Sequence, residues 1–371
     1  MNPFKVLGKP ITNVSTTWYE KYQPTKLADV VGNEQAVKNL ESYLTHNNIP
    51  HLLLTGPNGS GKATAIKCLV NNYFTAITSP VMRKEAYLEI NGAIDRSKDV
   101  VSEKNDHGKK SDKLAGMPNI ISFIKKRVNL PQGLCKLIII YDFDHMTSEA
   151  QMALRRIMEK YESTRFILQC NDGSVIEAIQ SRCTPLRFSR LSDEEVEIVL
   201  RTISIKEGLY PKANENSGES PTGQEAKLEM DKVIKLICLS ANGDLKKGIG
   251  YLQVIGNSSE RTVNAYYKIF NIPSLENINK YINFCIQKNL TKANEVLSDL
   301  LHNGYNADDI LDILLKVVIR RDDLIYQTFF IQAISEIVIM TENSTSNTHL
   351  YALTSKLVSI AIIGRYELDL L

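Results

Sequence analysis

The sequence predicts an α/β protein: a parallel sheet flanked by helices, then a small helical block, then an all-α tail. Three observations predict it. The apolar run Leu52-Leu53-Leu54 leads into the glycine-rich turn Gly56-Pro57-Asn58-Gly59-Ser60-Gly61-Lys62, and then into a helical stretch, Ala63 to Val70. Apolar strands and amphipathic stretches then alternate as far as Phe188, joined by short links, which is the pattern of a right-handed parallel sheet. From Leu191 onward strand signals stop and helical spacing takes over.

Taken in order, residues 1–17 carry few structural signals and read as a flexible arm. Trp18-Tyr19-Glu20-Lys21-Tyr22-Gln23-Pro24 is an aromatic segment closed by proline, either a strap on the core or a lid for a flat ring. Leu27 to Leu44 has the spacing of one amphipathic helix. After the glycine turn and its helix comes a short strand, Tyr87 to Asn91, and a helix starting at Asp95. Glu103 to Pro118 is polar and lysine-rich, and reads as a solvated, disordered insertion. A helix resumes over Ile120 to Arg127.

Lys136 to His145 is a second buried strand, a continuous apolar run ending in acids. Ser148 to Tyr161 reads as a helix opened by a capping box of Ser148 and Gln151. Phe166 to Cys170 is a third buried strand, Val175 to Gln180 a short helix, and Pro185 to Phe188 a last strand. Asp193 opens a helix, and residues 211–225 form a loop rich in Pro, Gly, Ser and Asn. Leu228 to Leu252 makes two helices around Asn242-Gly243-Asp244. Residues 274–371 are helical, with breaks near Asn303-Gly304 and between Glu342 and Asn347.

Composition narrows the class. The 371 residues are 43% hydrophobic and 23% charged, ordinary for a globular chain that needs no staples. Six scattered cysteines show no paired metal spacing and suit buried free thiols in a reducing compartment. No apolar run reaches membrane-spanning length, and the start lacks a signal-peptide core. A net charge of +2 is too small to argue nucleic-acid binding without a local basic patch.

The chemistry lies in the glycine turn. Strand, G-x-x-x-x-G-K and helix is the context of a phosphate loop. Its glycines let backbone N–H groups face phosphate oxygens, the helix N-terminus adds partial positive charge, and Lys62 adds a full one. The residue after that lysine should carry a hydroxyl for Mg²⁺. Here it is Ala63, and Thr64 lies about 100° further round the helix. The loop is therefore expected to hold a nucleotide and to handle the metal poorly.

Several motifs together resemble the small subunits of replication factor C, the AAA+ clamp loaders. They are Trp18 to Pro24, Val31-Gly32-Asn33, the phosphate loop, Leu88 to Asn91, Met146 to Glu159, Arg165 to Asn171, Ile179-Gln180-Ser181-Arg182-Cys183, Arg187 to Asp193, and Gly243-Asp244-Leu245-Lys246-Lys247. The resemblance runs from residue 18 to about 252. The tail matches only as an all-helical block of the right length.

The resemblance implies an AAA+ nucleotide-binding domain over 18–189, a helical lid over 190–258, and a helical oligomerisation collar over 274–371. It implies ATP or ADP as cofactor, held by Gly56 to Thr64 with Tyr22, Val31 and Lys246. It implies a hetero-pentameric ring, a sliding clamp and primer-template DNA as partners, and the nucleus as location in a eukaryote. DNA contact falls on Arg96 and Lys98, with Lys125, Lys126 and Arg127 as weaker choices and a solvated helix face as the alternative. Ile120, Ile121, Phe123 and Ile124 are either a clamp contact or a core stripe.

Arg182 stands where the family has an arginine finger that acts in trans on a neighbour's nucleotide. Asn171 stands at the first sensor. Five positions depart from the family pattern: Ala63 for the metal-binding hydroxyl, Tyr141 for the metal-binding acid, Asp142 for the longer acid that orients water, Gln23 for an arginine, and Lys246 for the second sensor's arginine. A shifted alignment would make Asp142 the metal ligand and Asp144 the water-orienting acid; the spacing from Ile140 and to Met146 argues against it. The expectation is a subunit that binds nucleotide, hydrolyses it slowly and still serves a neighbour. The rival readings are a fully active ATPase subunit of the same loader, and a non-catalytic scaffold of an alternative checkpoint or cohesion loader.

Overall fold

A computed structural model describes residues 16–368, apart from 47, 76, 78, 95–119, 129, 132, 172–173, 211–220, 259, 322–325 and 343–346. The residue 1–15 portion of the arm, the helix start at Asp95, Arg96 and Lys98, the Glu103 to Pro118 insertion, and residues 211–220 of the loop lie outside these residues. The chain divides into two compact units. One comprises the described residues up to Gly208 with Ala241–Val254; the other comprises Leu209–Ser240 and the described residues from Ile255 on.

The first unit is built on five parallel strands: β1 (Leu52–Thr55), β2 (Tyr87–Asn91), β3 (Lys136–Tyr141), β4 (Thr164–Cys170) and β5 (Thr184–Arg187). Their order is β2-β3-β4-β1-β5. Both faces are covered, which is why the central strands read as continuous apolar runs. Leu52, Leu54, Leu137, Ile139 and Ile167 face α2 (Glu34–Thr45) and α3 (Lys62–Tyr73). Their neighbours Leu53, Ile138, Ile140, Phe166 and Leu168 share a second core with α5 (Ile120–Lys125) and α6 (Ser148–Lys160). Ile120, Ile121 and Ile124 are buried in that core, and Phe123 packs against it. Lys136 is buried and closes the end of α5: its Nζ donates to the carbonyls of Phe123 (2.8 Å) and Lys126.

Four local expectations change. Leu27 to Leu44 is not one helix: a 3-10 turn (Leu27–Asp29) precedes α2, and Gly32 and Asn33 between them have φ of 77° and 52°. A Cβ on Gly32 would lie 2.2 Å from Leu191 Cδ2, so tertiary packing sets the break. The strand expected to run to His145 stops at Tyr141, because Asp142 turns left-handed (φ 49°) and starts a second 3-10 turn, Phe143–His145. The cap of α6 is Thr147, whose Oγ1 accepts from Ala150 N; Gln151 instead holds the backbone of Met146, Ser174 and Ile176. The loop expected over 211–225 gives way to helix at Pro221, a residue pre-set for a first turn.

The remaining helices of the first unit are α1 (Trp18–Lys21), α4 (Pro80–Ala86), α7 (Glu177–Gln180), α8 (Asp193–Lys206) and α10 (Leu245–Asn257), the last passing its boundary. The second unit holds most of α9 (Pro221–Ala241) and then α11 (Val263–Phe270), α12 (Leu275–Ile286), α13 (Leu290–His302), α14 (Ala307–Ile319), α15 (Gln327–Glu342) and α16 (Thr348–Leu368). α12 to α16 share one core around Ile282, Leu297, Leu314, Ile334 and Leu353. The expected breaks fall at Asn303-Gly304 and after Glu342. Among the described residues no helix is long and apolar enough to cross a membrane.

Candidate nucleotide-binding site

Parallel strands direct their C-terminal tips to one edge of the sheet, where ligands of α/β folds bind. The phosphate loop leaves the tip of β1 there. Gly56, Gly59 and Gly61 have φ of 145°, 75° and 95°, so the loop takes turns that side chains resist. Lys62 is 4% exposed, and its Nζ donates to the carbonyls of Gly56 at 2.5 Å and Pro57 at 2.7 Å. Ser60 Oγ donates to the Pro57 carbonyl at 2.8 Å. The lysine and the loop backbone thus pin one another. Ala63 and Thr64 lie in the first turn of α3.

Asn33 ties this loop to the end of the sheet. Its Nδ2 donates to the carbonyls of Ser60 and Ser189, both at 3.2 Å, and its Oδ1 accepts from Ser189 N at 2.7 Å. The left-handed backbone that breaks the first helix is therefore also what aims this amide. Asp244 approaches the loop from the other side: a Cβ on Gly59 would lie 2.0 Å from its Oδ1, which also accepts from Lys247 N at 3.0 Å. Asp244 thus opens α10 and presses against the loop at the same time.

The tips of β3 and β4 are linked. Asp142 N donates to Gln169 Oε1 at 3.3 Å, and Gln169 Nε2 donates to Asn171 Oδ1 at 3.4 Å. The structure brings Asp142 and Asn171 together through a glutamine that the sequence reading passed over. Lys246 is exposed, with Nζ 5.4 Å over the Tyr19 ring. Tyr22 donates its hydroxyl to Glu207 at 2.7 Å, and Lys206 Nζ stands 5.6 Å over its ring. These bonds tie the aromatic segment to α8. Val31 is half-buried, one residue before the Gly32-Asn33 turn.

The two positions expected to hold Mg²⁺ offer it no ligand. Ala63 offers a methyl where a hydroxyl is needed. Tyr141 packs against the core on the α3 side of the sheet, and its buried hydroxyl has no hydrogen-bond partner among the described residues. Burial, then the Glu89 carboxylate, holds its pKa above the usual tyrosine value, so it stays a neutral phenol. A neutral, enclosed phenol supplies none of the negative charge by which a carboxylate holds Mg²⁺. The phosphate loop, by contrast, fits a nucleotide's phosphates, with backbone N–H groups and Lys62 as the donors.

Arg182 lies away from this loop, after α7. Its NH1 donates to the Ala178 carbonyl at 2.7 Å, and its NH2 pairs with Glu159. Roughly a third of the side chain is exposed (35%), so its charge is open to solvent. Asn33, Gln169, Asp244 and Glu159 are the contributors that motif reading missed. Asp244 alone had a local signal, as an acid one residue before a helix.

Fold and site together define a phosphate-loop α/β module of the AAA+ class that carries a separate helical unit. Two family models match: one described as "DNA polymerase III, delta subunit" over residues 32–192, and one described as "Replication factor C C-terminal domain" over 273–354. The "Probable replication factor C subunit 2" of Dictyostelium discoideum is 35% identical over 305 residues, covering 81% of this chain and 78% of that protein. The "Replication factor C subunit 2" of Arabidopsis thaliana is 35% identical over 309 residues, covering 82% and 81%. The "Replication factor C small subunit" of Sulfurisphaera tokodaii is 34% identical over 298 residues, covering 79% of each. The chain belongs to the replication factor C small-subunit family.

Proposed function

We propose that this chain is a small subunit of the replication factor C clamp loader, which places a sliding clamp on primed DNA. It binds ATP or ADP, hydrolyses it slowly, and supplies Arg182 to the nucleotide of a neighbouring subunit. The observation that carries the reading is a division within one module. The phosphate loop keeps Lys62 and its glycine turns, and Arg182 is exposed, while Ala63 and Tyr141 supply no ligand at the two positions where the family holds the metal. Phosphoryl transfer depends on positioning and on neutralising phosphate charge. Losing the metal's handles therefore slows turnover far more than it weakens binding. A guanidinium offers a fixed fork of donors to the same charge.

In this reading Gly56 to Thr64 cradle the phosphates, and Tyr22 and Val31 border the base. Lys246 leaves Tyr19 to meet the nucleotide. Asp142 and Asn171 set what water-orienting capacity remains. The module divides into a nucleotide-binding domain (18–189), a lid (190–258) and a collar (274–371) that joins a hetero-pentameric ring. Exposed apolar side chains on the second unit support the collar: Phe329 is 52% exposed, Ile339 61% and Met340 49%. Arg96 and Lys98 contact the DNA backbone, which carries affinity without sequence specificity. In a eukaryotic host the work is done in the nucleus.

The test is DNA-stimulated ATPase of the assembled complex with Arg182→Ala in this subunit. A fall of orders of magnitude at the neighbouring site supports the reading. An unchanged rate rejects it and favours a non-catalytic scaffold.

A further inference from the structure

The structure places Arg182 in a cluster that stability does not explain. Arg155 and Glu159 sit four residues apart on α6, and Arg182 comes from the turn after α7. Glu159 Oε1 accepts from Arg155 Nε at 3.1 Å and from Arg182 NH2. Arg182 NH1 donates to the Ala178 carbonyl at 2.7 Å and reaches Ser181 Oγ at 3.4 Å. The three side chains are 36%, 40% and 35% exposed. Ion pairs this exposed add little to folding, about 0–1 kcal/mol each. The guanidinium is nonetheless held at both terminal nitrogens, from two different elements. Arg155 and Arg182 together hold the Glu159 carboxyl below the usual carboxylate range.

We propose that Glu159, anchored by Arg155, is a positioning residue that pre-sets Arg182 for a phosphate on a neighbouring subunit. The inference rests on the finger reading above and deepens it. A free arginine must give up about 2 kcal/mol of rotamer entropy when it docks. An arginine already held at NH1 and NH2 has given up part of that beforehand, which is pre-organisation in the ordinary sense. Arg155 has two effects. It keeps the Glu159 carboxylate fixed on α6, so the carboxylate holds the Arg182 NH2 in one place. It also shares the carboxylate's charge, so the guanidinium keeps net positive charge for a neighbour's polyphosphate. Among the described residues the Arg182 Nε–H has no partner and remains for that acceptor.

The experiment is steady-state ATPase of the assembled complex with Glu159→Gln, Glu159→Asp, Arg155→Gln and Arg182→Ala in this subunit, alone and combined. Glu159→Gln is expected to lower kcat about tenfold with KM for ATP unchanged, since misplacing a catalytic group by about 1 Å costs up to 10²-fold. Glu159→Asp recovers part of the loss, and Arg155→Gln loses less than Glu159→Gln. In an Arg182→Ala background Glu159→Gln changes nothing further, a result that a general structural defect would not give. If Arg182→Ala lowers kcat and Glu159→Gln leaves it unchanged or raises it, the clamp is withdrawn and the finger stands. If neither lowers kcat, both are withdrawn.

Discussion

Within the first unit, the phosphate loop and the Arg182 cluster are built in opposite ways. The loop is closed: Lys62 is buried and bonded to the loop's own carbonyls, Asn33 ties the loop to Ser189, and Asp244 presses on Gly59. Arg182 and its partners are open, about a third exposed and held by bonds that solvent weakens. A site that must hold a ligand tightly gains from enclosure, because donors in a low-dielectric setting are worth more than in water. A group that acts on a different chain must remain accessible. On the function proposed above, this chain's part in hydrolysis lies at its surface, and its own loop is kept for holding.

The largest effect that would sharpen the contrast is at Arg182. Arg182→Ala should cut turnover at the neighbouring site by about 10³-fold or more, the usual worth of such an arginine. A loss under tenfold in single-turnover assays of the complex would break the contrast. Next is the metal. Nucleotide affinity of the native chain should change less than about threefold between EDTA and Mg²⁺, whereas Ala63→Thr with Tyr141→Asp should make it depend on Mg²⁺ by about tenfold. Strong Mg²⁺ dependence in the native chain, read by calorimetry, would mean that the loop recruits the metal despite Ala63.

An effect of similar size tests the enclosure itself. Gly59→Ala forces a side chain into Asp244 at positive φ, a strain of about 1–3 kcal/mol. Nucleotide binding should weaken roughly tenfold, which is about 1.4 kcal/mol. Unaltered binding would show that the approach of Asp244 is incidental.

The last effect, read in stability and not in turnover or binding, comes from the opposite edge of the sheet. His51 Nδ1 accepts from Phe166 N at 3.1 Å, and burial, then the Arg165 charge, pulls its pKa down to about 4. Its folded pKa lies below its unfolded one. As pH falls from about 6.5 towards 4, the unfolded chain therefore takes up a proton that the folded chain refuses, and about 1–3 kcal/mol of stability is lost. Urea unfolding at pH 7 and pH 4.5 should show this loss, and His51→Asn should remove it. An equal loss in the variant would place the titration elsewhere.

Most of the sheet was legible because its strands are covered on both faces. Runs such as Ile138-Ile139-Ile140 have no solvent side to alternate with. The phosphate loop was legible because its chemistry is contiguous. What was illegible is set by distant contacts. Leu191 packing on Gly32 breaks a run whose spacing fits one helix. Asp142 ends its strand by turning left-handed, which no neighbouring residue type announces. Asn33 with Ser189, Gln169 with Asp142, and Glu159 with Arg182 join positions 156, 27 and 23 apart. No spacing rule spans such separations.

The most direct test of the central claim compares two substitutions in the complex, with bound nucleotide identified after denaturation. Lys62→Ala is expected to empty this subunit's loop, and Arg182→Ala to leave the loop filled yet cost far more turnover. Turnover lost as fully on Lys62→Ala as on Arg182→Ala would contradict it and make this chain a working ATPase in its own right.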